Sequence, residues 1–319
     1  MALLKWNVRA KTPVEKAIEW FKNYEIGTGM TIPHGSKYAL PLTQETAGFS
    51  IPTLYNFGEK DFACRLAKWE ASNQRPDGAF EAVDKIPYTF DTAQVIRGFL
   101  AVLDDLPELE DNLRRACDYV ESKIAANGEV LHDSYGTWKF PDGTMLSEYG
   151  NLYVLPPLLE AGKRLSAPKY IQAVRRSMDY YRQKPDLVEF KPEMSMISHY
   201  LGYMMEALVD IGEIELAKKG LKQAFDLQGE DGSIPAYPGV KWICSTGLAQ
   251  LAIAWYKLGE KEPADKAIGY METIQNRSGG FYGGYGGGAL YFPKKEIPWA
   301  AKFFLDAHYL KRKMESKNA

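Results

Sequence analysis

The chain has 319 residues, is 45% hydrophobic and 25% charged, and carries a net charge of −2. That balance gives no basic face for nucleic acid or an anionic membrane, and no apolar run reaches the roughly twenty residues a bilayer span needs. Cys64, Cys117 and Cys244 are odd in number and far apart, so the spacing predicts neither a disulfide framework nor a metal site. With no signal-peptide core in MALLKWNVRAKTPVEKA, the expected location is cytoplasmic.

Residues 13–25 read as an amphipathic helix with Pro13 in its first turn. A loop leads to a largely apolar helix, 41–57, closed by Gly58-Glu59, and a surface-type helix follows at 60–73. After the turn 74–78 the segment 91–103 is apolar nearly all round, as in a helix buried on most sides. A break at Leu106-Pro107 separates it from 109–125, where Leu113, Ala116, Cys117, Val120 and Ile124 make one apolar stripe. Beyond the aromatic loop 131–144 the alternation continues: 146–161 buried, with a kink expected at Pro156-Pro157, and 168–183 amphipathic. It goes on with 195–211 buried, 214–227 amphipathic, 242–258 buried, 263–275 amphipathic and 298–310 mostly apolar. Residues 1–12 are read as an extension and 312–319 as a charged tail.

Buried helices close at Gly58, Leu106, Gly162, Gly212 and Gly259, a period of about fifty residues that signals a repeat architecture. The turns Gln74-x-x-Asp77-Gly78 and Gln228-x-x-Asp231-Gly232 repeat too, with Asn127-Gly128 and Gly279-Gly280 as looser copies. The chain begins with an outer helix and ends with an inner one, so the repeats are expected to close into a ring rather than an open solenoid.

A ring of six inner and six outer helices resembles the (α/α)6 toroid superfamily, and the Q-x-x-D-G turns are similar to those of squalene-cyclase and prenyltransferase toroids. The runs 90–95, 245–252 and 298–304 resemble a bacterial toroid family associated with polysaccharide assembly. The resemblance spans about residues 13–311 and implies an all-α, single-domain fold over 1–319. It leaves the reaction open, because such toroids host glycoside hydrolases, polysaccharide lyases, epimerases and terpenoid enzymes.

Inner-to-outer connections are short and outer-to-inner ones long, so the long loops share the end where inner helices begin, and a funnel is expected there. Counting thirteen residues back from the closing glycines gives Glu45, Tyr149, His199 and Thr246. Of these, Glu45, Tyr149 and His199, with the neighbours Glu148 and Tyr200 and with Asp91 of the second unit, are the candidate catalytic residues. Asp91 has an alternative role as a helix N-cap, and Glu45 and Glu148 suit the positive end of a helix dipole. Gln94 and Lys302 are polar groups in apolar helices, and a buried lysine needs a charge partner or an anionic ligand. Trp138, Trp242, Tyr282, Tyr285 and Trp299 offer flat apolar faces for a pyranose, the last of the candidate binding residues. The glycine-rich 279–292 lacks the Gly-Lys-Ser/Thr of a phosphate loop and reads as a mobile or wrapping segment bearing aromatics.

Asp104-Asp105-x-x-Glu108 imitates a terpenoid metal box but lies at an inner-to-outer turn, and no His/Cys cluster offers zinc its ligands. Neither cofactor nor metal is expected. The leading reading is a glycoside hydrolase acting on an oligo- or polysaccharide through two of Glu45, Asp91 and Glu148. A polysaccharide lyase or uronyl epimerase, with His199, Tyr149 or Tyr200 as base and Lys302 or Arg97 neutralising a uronate, is the alternative. A terpenoid cyclase and a non-catalytic glycan-binding protein are the remaining ones.

Overall fold

The computed structural model describes residues 9–23, 25–26, 29–30, 44–82, 84–131 and 148–317. Among the described residues twelve α-helices carry the fold: α1 Pro13–Asn23, α2 Gln44–Asn56, α3 Lys60–Asn73, α4 Thr89–Val102, α5 Glu110–Ser122, α6 Leu155–Arg164, α7 Pro168–Tyr181, α8 Ser198–Ile211, α9 Ile214–Asp226, α10 Ser245–Leu258, α11 Lys261–Ile274 and α12 Pro298–Lys317. Two-residue strands pair antiparallel at β1 Glu25–Ile26 with β2 Gly29–Met30, and at β3 Ile243–Cys244 with β4 Gly284–Tyr285. The even-numbered helices form the inner ring, each packing on the next, and α12 returns to α2. Odd-numbered helices cover them outside. This is an (α/α)6 toroid, as the alternation of all-round apolar and one-face apolar segments predicts.

Closure can be traced to single contacts. Gln275 Nε2 donates to the carbonyls of Gly279 and Pro13 at 2.9 and 2.8 Å, so the last turn is tied to the first helix. Gln74 does the same to Gly78 and Asn112, and Gln228 to Gly232 and Pro263. The turn at 275–279, a looser copy in the sequence, thus makes the same pair of bonds as the two closer copies. In each turn a short polar side chain (Asp77, Asn127, Asp231 or Ser278) accepts from the backbone N–H two residues on. The following glycine then presses its bare α-carbon on the next outer helix. Gly279 has φ +98°, and a Cβ there would stand 2.2 Å from the Lys16 carbonyl oxygen. Trp20 Nε1 adds a buried bond of 2.7 Å to Glu296. Gly279→Ala is therefore expected to cost more than about 1 kcal/mol, through both φ and the clash; an unchanged melting temperature would remove this turn from the closure.

Two expectations need correcting. The charged segment after 310 is no separate tail, because α12 continues to Lys317 and Lys311 reaches Asp265 at 3.3 Å. Nor does Pro156-Pro157 kink a helix: Glu148–Val154 is 3₁₀, and α6 begins at Leu155 with the prolines in its first turn, where their missing N–H groups are not needed.

Candidate functional site

The inner-helix heads gather polar groups in an otherwise apolar ring. Glu45 is the second residue of α2, Asp91 the third of α4, and His199, Thr246 and Trp299 the second residues of α8, α10 and α12. Buried polar atoms without a partner concentrate at the same end: Gln44 Oε1, Asp91 Oδ1, Ser198 Oγ, Trp242 Nε1, Thr246 Oγ1 and Gln250 Nε2. Such atoms are few in a folded protein, and each asks for an explanation. A polar ligand site is the explanation their common position favours.

Two carboxyls dominate the head of the ring. Glu45 is only half-buried, takes no hydrogen bond or ion pair among the described residues, and is pushed up to about 7 by burial. Asp91, on the adjoining helix, is 2% exposed and held well above the usual carboxylate range by burial, then by the Glu45 and Asp84 carboxyls. It is not a helix cap: the N-cap position of α4 is Tyr88. Behind it on α3 lies Glu70, fully buried with both oxygens unpaired and kept protonated by burial and by Asp91. A sealed carboxyl with no counter-charge keeps its proton. Glu70 had not been singled out, yet a signal existed. It falls on the apolar stripe Phe62, Leu66, Glu70 at helical spacing.

His199 stands beside an aromatic wall. Its ring centroid is 5.2 Å from Tyr200, 4.4 Å from Tyr203, 5.7 Å from Tyr291 and 6.3 Å from Phe303. Its Nδ1 lies 2.5 Å from Gln250 Oε1, and burial lowers its pKa to about 3, so the imidazole is neutral. Trp299, half-buried, donates from Nε1 to the Tyr291 hydroxyl at 3.0 Å. One turn further in, Tyr203, Phe303 and Phe49 interlock with Tyr153 and with Phe90 of the first turn of α4, centroids 4.4–6.5 Å apart. They make the floor.

Other candidates point elsewhere. Glu148 is exposed and lies 3.8 Å from Lys184, while the Tyr149 hydroxyl donates to Asp186 at 2.5 Å and its ring meets Tyr181 of α7 edge-on. Gln94 is spent within α4, donating to the Phe90 carbonyl and accepting from Arg97 at 3.1 Å each. Lys302 is buried below the heads, 2.9 Å from Asp306 and 3.7 Å from the Phe303 ring centroid. Arg97 donates to the Tyr153 carbonyl at 2.8 Å and lies over that ring. Trp242 is covered, whereas Tyr282 and Tyr285 remain half-buried with rings 5.4 Å apart. The glycine-rich segment is tied down by the β3–β4 pairing and by a bond from the Tyr282 N–H to the Tyr285 hydroxyl. Trp138 lies outside the described residues.

The raised carboxyls fix a pH dependence of stability. Glu45 and Glu206, both pushed up to about 7 by burial, bind a proton more tightly folded than unfolded. Their contribution is complete below the ordinary value of 4.5 and is lost as pH rises through about 7. His199, lowered to about 3, acts in reverse: its contribution is present above 6.5 and lost toward pH 3. Melting temperature is therefore expected to fall between about pH 5 and about pH 8, and more shallowly in Glu45→Gln/Glu206→Gln. Identical slopes in thermal melts would refute the assignment.

No family model matches the chain, and no curated protein matches it. Solved structures do. An unsaturated glucuronyl hydrolase specific for heparin superposes with TM-score 0.72 and 14% identity, over 96% of this chain and 97% of its own. A polysaccharide lyase gives 0.63 and 12%, over 95% and 98%. A type II terpene cyclase from Scytonema gives 0.62 and 11%, over 95% and 97%. Near-complete mutual coverage at such low identity places the chain among the (α/α)6 toroids by fold. No helix among the described residues is long and apolar enough to cross a membrane.

Proposed function

We propose that the protein is a carbohydrate-active enzyme that cleaves glycosidic bonds of an oligo- or polysaccharide by hydrolysis, with Glu45 and Asp91 as its paired carboxyls. The observation that carries this is the pair itself: two carboxyls on adjacent inner helices, both raised by burial, one of them open, above an aromatic floor. Hydrolysis of a glycoside needs one carboxyl that holds its proton near neutrality and one that gives it up. Glu45 ionises near 7 and serves as base or nucleophile. Its charge holds the proton on Asp91, which serves as acid. Tyr291, Trp299 and the Tyr282–Tyr285 pair supply the apolar faces a pyranose stacks on. Two of the structures sharing the fold are named for glycan cleavage, which supports the same class of substrate.

Elimination fits less well. It requires a cation free to neutralise a uronate, and Lys302 and Arg97 both have partners inside the ring. The test is incubation with a panel of neutral polysaccharides, polyuronides and unsaturated-uronyl oligosaccharides. New reducing ends without gain of the unsaturated-uronyl absorbance, or loss of that absorbance from an unsaturated-uronyl end, support hydrolysis. Gain of that absorbance from a polyuronide means elimination instead. Binding without turnover would make the protein a glycan-binding module and end the enzymatic reading.

A further inference from the structure

Nδ1 of His199 has one partner, Gln250 Oε1, and the way it is supplied is specific. Gln250 comes from the neighbouring helix α10 and must lie across α8 to reach the imidazole. Gly202, three residues after His199 on α8 and so on the same face, leaves the room. A Cβ at that position would stand 2.6 Å from Gln250 Cβ and 3.1 Å from Gln250 Oε1. Any side chain at 202 would push the amide off the imidazole.

We propose that Gln250, seated in the space left by Gly202, is a positioning residue that locks His199 as the Nδ1–H tautomer and presents an unprotonated Nε2 to a ligand hydroxyl. A neutral imidazole has one donor and one acceptor nitrogen, and the partner of one fixes the role of the other. With Nδ1–H committed to Gln250, Nε2 makes no hydrogen bond among the described residues. The groups around the imidazole are Tyr200 and Tyr203 of its own helix, Gln250 of α10, Tyr291 of the following segment, and Phe303 and Lys302 of α12. The carboxyl at this end, Glu45 of α2, acts on the hydroxyls of Tyr200, Tyr203 and Tyr291 and not on the imidazole, and Lys302 opposes imidazolium. This corner of the site therefore accepts a hydroxyl proton. The assignment to a sugar hydroxyl rests on the reading above; the tautomer does not.

The experiment is a long-range proton–nitrogen NMR spectrum of the histidine rings, of which the chain has 4, with His199→Asn identifying the signal. Wild type is expected to show a neutral His199 protonated on Nδ1 from about pH 5 to about pH 8. Gln250→Leu should move the proton toward Nε2, and Gly202→Ala, which keeps the glutamine but displaces it, should do the same. Gln250→Glu puts a carboxylate against Nδ1–H and should turn the ring into imidazolium at neutral pH. A wild-type ring protonated on Nε2 would overturn the proposal without any variant, as would a folded Gly202→Ala protein with the wild-type signal. The spectrum is read without substrate, so a failed polysaccharide screen and a failed tautomer lock are told apart.

Discussion

Glu45→Gln and Asp91→Asn are each expected to lower the rate of glycosidic cleavage by about 10²–10⁴-fold, the span general acid–base groups command, with no loss of stability. The two halves belong together. Each carboxyl is costly to keep charged where it stands, as the burial-driven rise of both shows. Exchanging it for an amide removes a group the fold does not need ionised, so melting temperature above about pH 7 should hold or rise. A catalytic loss that follows unfolding would show the reverse. Because the two act together in one bond-cleaving step, the double variant should lose little beyond the worse single one. Glu148→Gln is the companion measurement: that side chain is exposed beside Lys184, and less than about a tenfold change is expected. Near-wild-type turnover in Glu45→Gln would dismantle the carboxyl pair.

The sequence made the fold legible because two simple periodicities coincide. Inner helices α8 and α10 end in a glycine of positive φ, Gly212 at +99° and Gly259 at +82°. A fixed count back from such an end finds the head of the helix, which is how His199 and Thr246 were placed. The same count failed to put Tyr149 and Glu148 beside them. Their segment winds as a 3₁₀ helix, which turns once per three residues and rotates its side chains off the α register; both face the α7 side instead. Lys302 was misleading for another reason. Its helix has no closing glycine to count from, and one turn further on Asp306 supplies the partner a buried lysine requires. Glu70 escaped notice because an outer helix was read as scaffold, although its carboxyl interrupts an apolar stripe. What periodicity shows is which face is buried. What a buried polar group does there depends on neighbours from other helices, which no single-helix pattern contains.

Lys302→Met is expected to lower stability by about 3 kcal/mol, the lower end of the 3–5 kcal/mol lost when one partner of a buried ion pair is removed. The lower end applies because the Asp306 side chain is 23% exposed and keeps the hydrogen bond from Thr53 at 2.7 Å. The larger share of the penalty falls on Glu206, 4% exposed and pushed up to about 7 although Lys257 and Lys302 both draw it down. Without Lys302 its carboxyl rises further, so the destabilisation should deepen with pH, as more of the unfolded state is charged than the folded state can be. The ammonium also rests on the Phe303 ring, a contact the thioether of methionine replaces only in part. Restoring balance with Lys302→Met/Glu206→Gln should recover much of the loss, since it removes the buried carboxyl that has lost that cation. Turnover of the folded Lys302→Met protein should stay near wild type in KM. Were its melting temperature unchanged and its KM for a uronide raised tenfold or more, Lys302 would be reaching substrate rather than Asp306, and the elimination chemistry would regain the cation it lacks.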